Sequence, residues 1–433
     1  MSSGTQSKVD TKTSAFLYLV IVVWTVLCLS GRFLELYAPR SEIAVSAFLI
    51  LCLQRLDVWD RPVVYTTFLS AILLAGVRSP EAELACLWVL KLAGILTLTS
   101  LLLCRPQLYH AIFRGMQITV LVNGALVILG LAGIEAAVIV SGSGRQSTIL
   151  SFTGPLAKIG AACLFYYLYM VLGSRRVHLA DVAGLAACVM TMWRDGSRTA
   201  MMLACPIPLL VLMCLVVERR LFRIWLLSPL FVAALYVIGG LLTGVEEDNP
   251  LFRIGETFQS LSDGDFEAAD ETRYDLTKHA FNLIRERPLL GHGFRTAALG
   301  GSLHESGIQV VHNAYLQLWA ETGLFGLLAF VALMWGWTLR ATTTCRSIIE
   351  IPDVRLRAMH YNSLFALLFT GLSYMTHPIG TEWGDWIILS GSYAAIYSLP
   401  LKKQFLPSPS YGYGNREHRC VSKPIRECVM AQR

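Results

Sequence analysis

A histidine and two arginines are the residues best placed to do chemistry. His312-Asn313 is followed by nine residues, then Gly323, two more residues, and Gly326. Arg198 closes the run Trp193-Arg194-Asp195-Gly196-Ser197-Arg198, and Arg273 falls near the start of a polar, helix-forming segment. An imidazole titrates near neutral pH and can take the proton of a hydroxyl. A guanidinium stays charged and presents a fork of donors that matches phosphate oxygens. The chemistry such a set could perform is attack by a hydroxyl with departure of a phosphate. Taken singly, each residue also has a plain reading. A histidine at a span end can cap a helix at the interface, an arginine there can snorkel, and Arg273 can sit on a solvated face.

At 100° per residue, Trp319, Gly323 and Gly326 fall within about 40° of His312 on a helix running through all four. The two glycines then predict close approach of another helix beneath the histidine. Glu321 falls near the opposite side; a buried acid is costly in lipid, so it is either a functional group or a polar contact between helices. Asn313, Tyr274, Arg295 and Glu321 are candidates for the acceptor path or for support of the site. No metal or other cofactor is expected. Asp263-Gly264-Asp265-Phe266-Glu267 has its glycine in the wrong place for a calcium loop.

These residues must be positioned by membrane helices. Of 433 residues, 55% are hydrophobic and only 15% charged, with a mean hydropathy of +0.54. Soluble domains carry roughly 25% charged residues, so a soluble enzyme, a disordered chain and a nucleic-acid module are excluded. The apolar residues come in long runs, not in the alternation of a barrel strand, so each run is a helix satisfying its own backbone. About twelve spans are predicted, near 15–30, 41–54, 62–77, 84–104, 115–139, 155–173, 179–193, 199–217, 224–244, 313–339, 358–376 and 383–399.

The chain divides into an N-terminal tail (1–14), nine spans (15–244), a long loop (245–311), three spans (312–399) and a C-terminal tail (400–433). With the N-terminus inside, inner segments hold 22 Lys and Arg and outer segments 12, which puts both tails in the cytoplasm. Lys91 and Lys158 fall within spans with no evident partner. The 67-residue outer loop has 12 acidic and 6 basic residues. Within it Asp270 can cap a helix over 271–286, with Tyr274, Ala280, Phe281, Leu283 and Ile284 at helical spacing. Pro288 ends that helix and Gly291-His292-Gly293 supplies a turn.

The ordered set resembles the O-antigen ligase and bacterial polysaccharide polymerase family. The shared pattern is Ser197-Arg198 at the outer start of a span, an arginine-bearing helix in a long outer loop, Pro288-Leu289-Leu290-Gly291-His292-Gly293, and then the His-Asn-x9-Gly-x2-Gly span. The resemblance covers 194–340, and the remainder only as a polytopic layout. Thr277 stands where an aromatic often follows the loop arginine, and His292 is uncommon between the two glycines.

The resemblance implies an all-α polytopic fold of GT-C-like layout with short helices in one long periplasmic loop. It implies a metal-independent, inverting membrane glycosyltransferase in the bacterial inner membrane, with its site facing the periplasm. Such an enzyme moves a glycan en bloc from undecaprenyl diphosphate to a hydroxyl of a lipid A-core or of a growing glycan, as O-antigen ligase or as O-antigen or exopolysaccharide polymerase. By carry-over His312 is the catalytic residue, acting as base or only orienting the hydroxyl. Arg198 and Arg273 hold the diphosphate, and Gly323 and Gly326 serve helix packing. The competing reading is a polytopic transporter or lipid-linked glycan flippase. That reading calls for paired charges near the midplane and repeated halves, whereas the long loop divides the predicted spans nine to three.

Overall fold

The computed structural model describes residues 4–30, 62–79, 82–105, 108–140, 146–152, 154–218, 271–293, 296, 311–375 and 383–399. Over these residues the protein is an all-α polytopic membrane protein. In chain order its helices are α1 (Gly4–Leu29), α2 (Pro62–Val77), α3 (Ala82–Cys104), α4 (Tyr109–Leu131), α5 (Pro155–Gly173) and α6 (Leu179–Asp195). They continue as α7 (Arg198–Ala204), α8 (Ile207–Val217), α9 (Glu271–Glu286), α10 (Ala314–Ile349), α11 (Val354–Ser373) and α12 (Trp383–Tyr397). Among the described residues the only β-structure is an antiparallel pair, Val138–Val140 with Gln146–Thr148. The predicted spans at 41–54 and 224–244, the predicted cap Asp270 and the C-terminal tail lie outside the described residues.

Among the described residues five stretches are long and apolar enough to cross a membrane: Ala85–Leu103, Tyr109–Leu131, Pro155–Gly173, Thr199–Val217 and Ala314–Thr344. Ala15–Leu29 and Val63–Val77 are shorter apolar helices. Several predicted boundaries need correction. The span expected at 115–139 begins at Tyr109 and ends at Leu131, followed by a 3-10 turn and the first β-strand. Its early polar positions find partners within the protein: the Tyr109 hydroxyl lies 3.0 Å from His360 Nε2, and Arg114 donates to Gln117 at 3.0 Å. The span expected at 199–217 keeps its bounds, and within it α7 and α8 part at Cys205-Pro206, because a proline has no N–H for the ladder. The span expected to end at 339 runs on to Ile349, and the one expected at 358–376 covers Val354–Ser373.

The bundle is organised around α5, in which every residue from Leu156 to Gly173 is buried. Helices α4, α6 and α11 pack on it. Asn362 of α11 accepts from the Tyr166 amide at 3.0 Å and donates to the Ala162 carbonyl at 2.7 Å, bridging two α5 backbone groups one turn apart. A side-chain amide can lie in an apolar core only when its polar atoms are satisfied in this way.

Polar contacts gather at the two ends of the bundle. At one end, Asp195 accepts from the amides of Gly154 and Ala157 at 2.6 and 2.8 Å, so a carboxylate sits on the free N–H groups at the start of α5. Lys158 meets Asp385 at 2.8 Å there, with both residues buried. At the other end, Glu218 binds Arg357 and accepts from Tyr169 at 2.6 Å.

The Lys158 pair corrects the expectation of an unpartnered lysine, and Lys91 is engaged as well. Lys158 lies in the first turn of α5 and Asp385 in the first turn of α12. The pair therefore marks a bundle end and not the midplane that a transporter would use.

Removing one partner of a buried pair strands the other charge, at a cost of about 3–5 kcal/mol. Lys158→Met and Asp385→Leu are each expected to lower the thermal unfolding midpoint in detergent. The double variant is expected to recover most of the loss. Additive effects would refute the pairing.

Candidate functional site

Helix α10 begins at Ala314, and Asn313 is its cap. The Asn313 Oδ1 accepts from the Tyr315 and Leu316 amides, both at 3.0 Å, which satisfies two of the N–H groups a helix start leaves free. The Ala314 amide donates to the Tyr374 carbonyl at the end of α11 at 2.8 Å. His312 thus stands one residue before the cap, half-buried, between a buried Val311 and a capped, anchored turn. Asn313 supports the histidine's position through the backbone.

The expectation that His312 shares a helical face with Trp319, Gly323 and Gly326 is therefore corrected. His312 is not in the helix, and α10 is broken at Gly323, where φ is 74° and ψ −174°. That conformation is essentially confined to glycine. The break frees backbone groups, and the turn after α9 takes them. The Leu324 amide donates to the Pro288 carbonyl at 3.0 Å, the His292 amide to the Ala320 carbonyl at 2.9 Å, and the Gly293 amide to the Glu321 carbonyl at 3.0 Å. The Trp319 indole N–H also donates to the Pro288 carbonyl at 3.0 Å.

What approaches Gly323 is this turn, not another helix. A Cβ on Gly323 would fall on the Leu289 carbonyl, with the Leu290 nitrogen at 2.6 Å, and one on Gly291 would fall on the backbone of Glu321 and Gly323. Gly326 does face a helix: its Cβ position is 3.5 Å from Ala71 of α2, and it also meets the side chain of Thr322. His292 clips the turn to α9, its Nε2 lying 2.9 Å from the Leu283 carbonyl. A carbonyl only accepts, so this nitrogen carries the proton.

Helix α9 covers the predicted residues, and its buried stripe differs in part from the prediction. Leu276, Ala280 and Ile284, spaced i and i+4, are buried with Val311 and Ala320, and Leu283 packs alongside. Tyr274 and Phe281 are 40% and 45% exposed and lie on the outward side. The C-terminal end of α9 is tied at Trp319–Leu324 while its apolar stripe reaches Val311.

Arg198 opens α7, and the Ser197 hydroxyl caps that helix by accepting from the Ala200 amide at 3.4 Å. Asp195, three residues earlier, is wholly buried in its cap of α5. The guanidinium groups of Arg198 and Arg273, and all of Arg295, lie outside the described residues. Glu321 is 1% exposed and accepts from Gln317 Nε2 at 3.5 Å, a contact within one helix. The structure thus brings together the histidine span, the glycine turn and the arginine-bearing helix.

Two features were not anticipated. The Lys158–Asp385 and Asp195 contacts join segments far apart in sequence, and the signal for them was only that each is an acid or base at a span end. The bonding of the turn to the α10 break was signalled by glycines in both partners.

Residues 179–331 match the family model described as O-antigen ligase. No curated protein matches the chain. The family match supports glycan transfer of the ligase or polymerase type in a bacterial membrane, with a lipid-linked donor and an acceptor.

Gly323→Ala is expected to lower the thermal unfolding midpoint more than Gly326→Ala. The first combines a forbidden φ with a backbone clash, costing on the order of 1–3 kcal/mol for the φ alone. The second keeps an ordinary helical φ and meets the side chain of Thr322, not a peptide group. Equal losses in a detergent melt would contradict the bonded break.

Proposed function

We propose, from the O-antigen ligase membership that residues 179–331 support, that this protein transfers a glycan en bloc from undecaprenyl diphosphate to a sugar hydroxyl. The observation that carries the reading is the bonding of the Pro288–Gly293 turn to the break in α10, beneath a capped His312-Asn313. It locks the segment bearing the arginine helix onto the segment bearing the histidine.

In this reading the acceptor hydroxyl attacks the anomeric carbon, the bond from that carbon to the diphosphate oxygen breaks, and the configuration inverts. His312 receives the hydroxyl proton or orients the hydroxyl. Arg198 and Arg273 stabilise the charge growing on the departing lipid diphosphate, without a metal. Asn313 supports His312 as its helix cap. Tyr274 and Arg295 belong to the acceptor side, and Glu321 to support of α10. The site faces the periplasm across the inner membrane, both tails are cytoplasmic, and the loop 245–311 separates two sets of spans. Ligase and polymerase share this step and differ in acceptor: a lipid A-core in one, the growing glycan in the other.

The test is purified protein with an undecaprenyl diphosphate glycan and either a core-lipid acceptor or the repeat unit alone. Product size assigns the acceptor. His312→Ala is expected to slow transfer by about 10²-fold or more, and Arg198→Ala and Arg273→Ala by about 10²–10³-fold. Wild-type rates in all three would refute the site. Glycan movement that requires an ion gradient would return the transporter reading.

A further inference from the structure

Beside the turn that locks α10 lies a second feature, which the transfer chemistry does not use. A cavity of about 450 Å³ is lined by Arg78, Arg287, Pro288, Leu289 and Leu290. Arg78 follows the apolar helix α2, its amide donating to the Ala75 carbonyl at 3.2 Å. Arg287 follows α9, its amide donating to the Leu283 carbonyl at 3.1 Å. The two loops press together: a Cβ on Gly293 would lie 3.0 Å from the Arg78 carbonyl carbon and oxygen. The arginines are therefore brought to one place by the same turn that bonds to α10.

Neither guanidinium has an ion pair or side-chain hydrogen bond among the described residues. The other arginines with described contacts differ. Arg357 binds Glu218, Arg355 faces Asp181 at 3.7 Å, and Arg114 donates to Gln117 at 3.0 Å. Between Arg78 and Arg287 the wall is apolar, with Leu289 55% and Leu290 53% exposed. Exposed leucines next to two forked cations, at the end of an apolar helix, match one kind of ligand. It carries a phosphate, which a guanidinium fork grips through two oxygens, and its adjoining part is a hydrocarbon chain.

We propose that this cavity binds the phosphate end of a membrane lipid. Arg78 and Arg287 hold the phosphate oxygens while Leu289 and Leu290 lie against the start of the chain. Two lipids could supply this chemistry, an isoprenoid phosphate carrier or an anionic phospholipid of the same leaflet. Its arginines are not the assigned diphosphate arginines Arg198 and Arg273. It does not require glycan transfer to be the protein's activity.

The experiment is native mass spectrometry of the full-length protein, delipidated in detergent and then exposed in separate arms to undecaprenyl phosphate, phosphatidylglycerol, phosphatidylcholine or inorganic phosphate. One lipid phosphate is expected to stay bound to the wild type. Arg78→Gln/Arg287→Gln is expected to lower its retention at least tenfold, and Arg78→Lys/Arg287→Lys to restore part of it, since a lysine keeps the charge without the fork. Stronger retention of undecaprenyl phosphate identifies the carrier, and stronger retention of phosphatidylglycerol identifies a phospholipid; either supports the site. Equal retention by wild type and the glutamine variant overturns it, as does binding of inorganic phosphate as tight as that of the lipids. Because the readout is lipid retention, its failure leaves the transfer reading standing, and a failed transfer assay leaves this site standing.

Discussion

The helix that carries His312 at its head is broken at Gly323, and the rest of the site depends on what fills the break. A backbone amide or carbonyl left unsatisfied inside a protein costs on the order of 1–3 kcal/mol, and more in lipid. A break in an apolar helix therefore persists only if other groups replace the lost bonds. Here Pro288, His292 and Gly293 supply them, through three backbone contacts of 2.9–3.0 Å. The contacts are made by peptide groups, so they require close approach more than any particular side chain. That requirement explains glycine at both 291 and 323.

One consequence is positional. The turn is continuous with α9, and α9 lays its Leu276–Ala280–Ile284 stripe on Val311 and Ala320. The turn and this stripe together hold α9 against α10. His312 is fixed separately, by the Asn313 cap below it and by the Ala314–Tyr374 bond to α11. The polar contacts at that end of the bundle, Asp195 on α5 and Lys158 with Asp385, fix the helices around it.

Much of this was legible in the sequence. Long apolar runs define α3, α5 and the start of α10 because lipid demands a helix wherever the backbone cannot meet water. The bounds of α9 were readable because its apolar residues keep helical spacing and Pro288 ends it. Periodicity named Ala280, Leu283 and Ile284 of its stripe and missed Leu276, while Tyr274 and Phe281, apolar by type, point outward. The face argument for His312 failed for a related reason. It assumed an unbroken helix, and neither an N-cap at 313 nor a break at 323 shows in a 100° wheel. Pairs such as Lys158–Asp385, 227 residues apart, were invisible because no local pattern records a contact made only by the fold.

Hydrogen–deuterium exchange at the amides of His292, Gly293 and Leu324 tests the central claim most directly. If the turn replaces the bonds that α10 loses at Gly323, these three amides exchange as slowly as amides inside α10. The result that would contradict the account is exchange at the rate of an open loop while the rest of α10 stays protected.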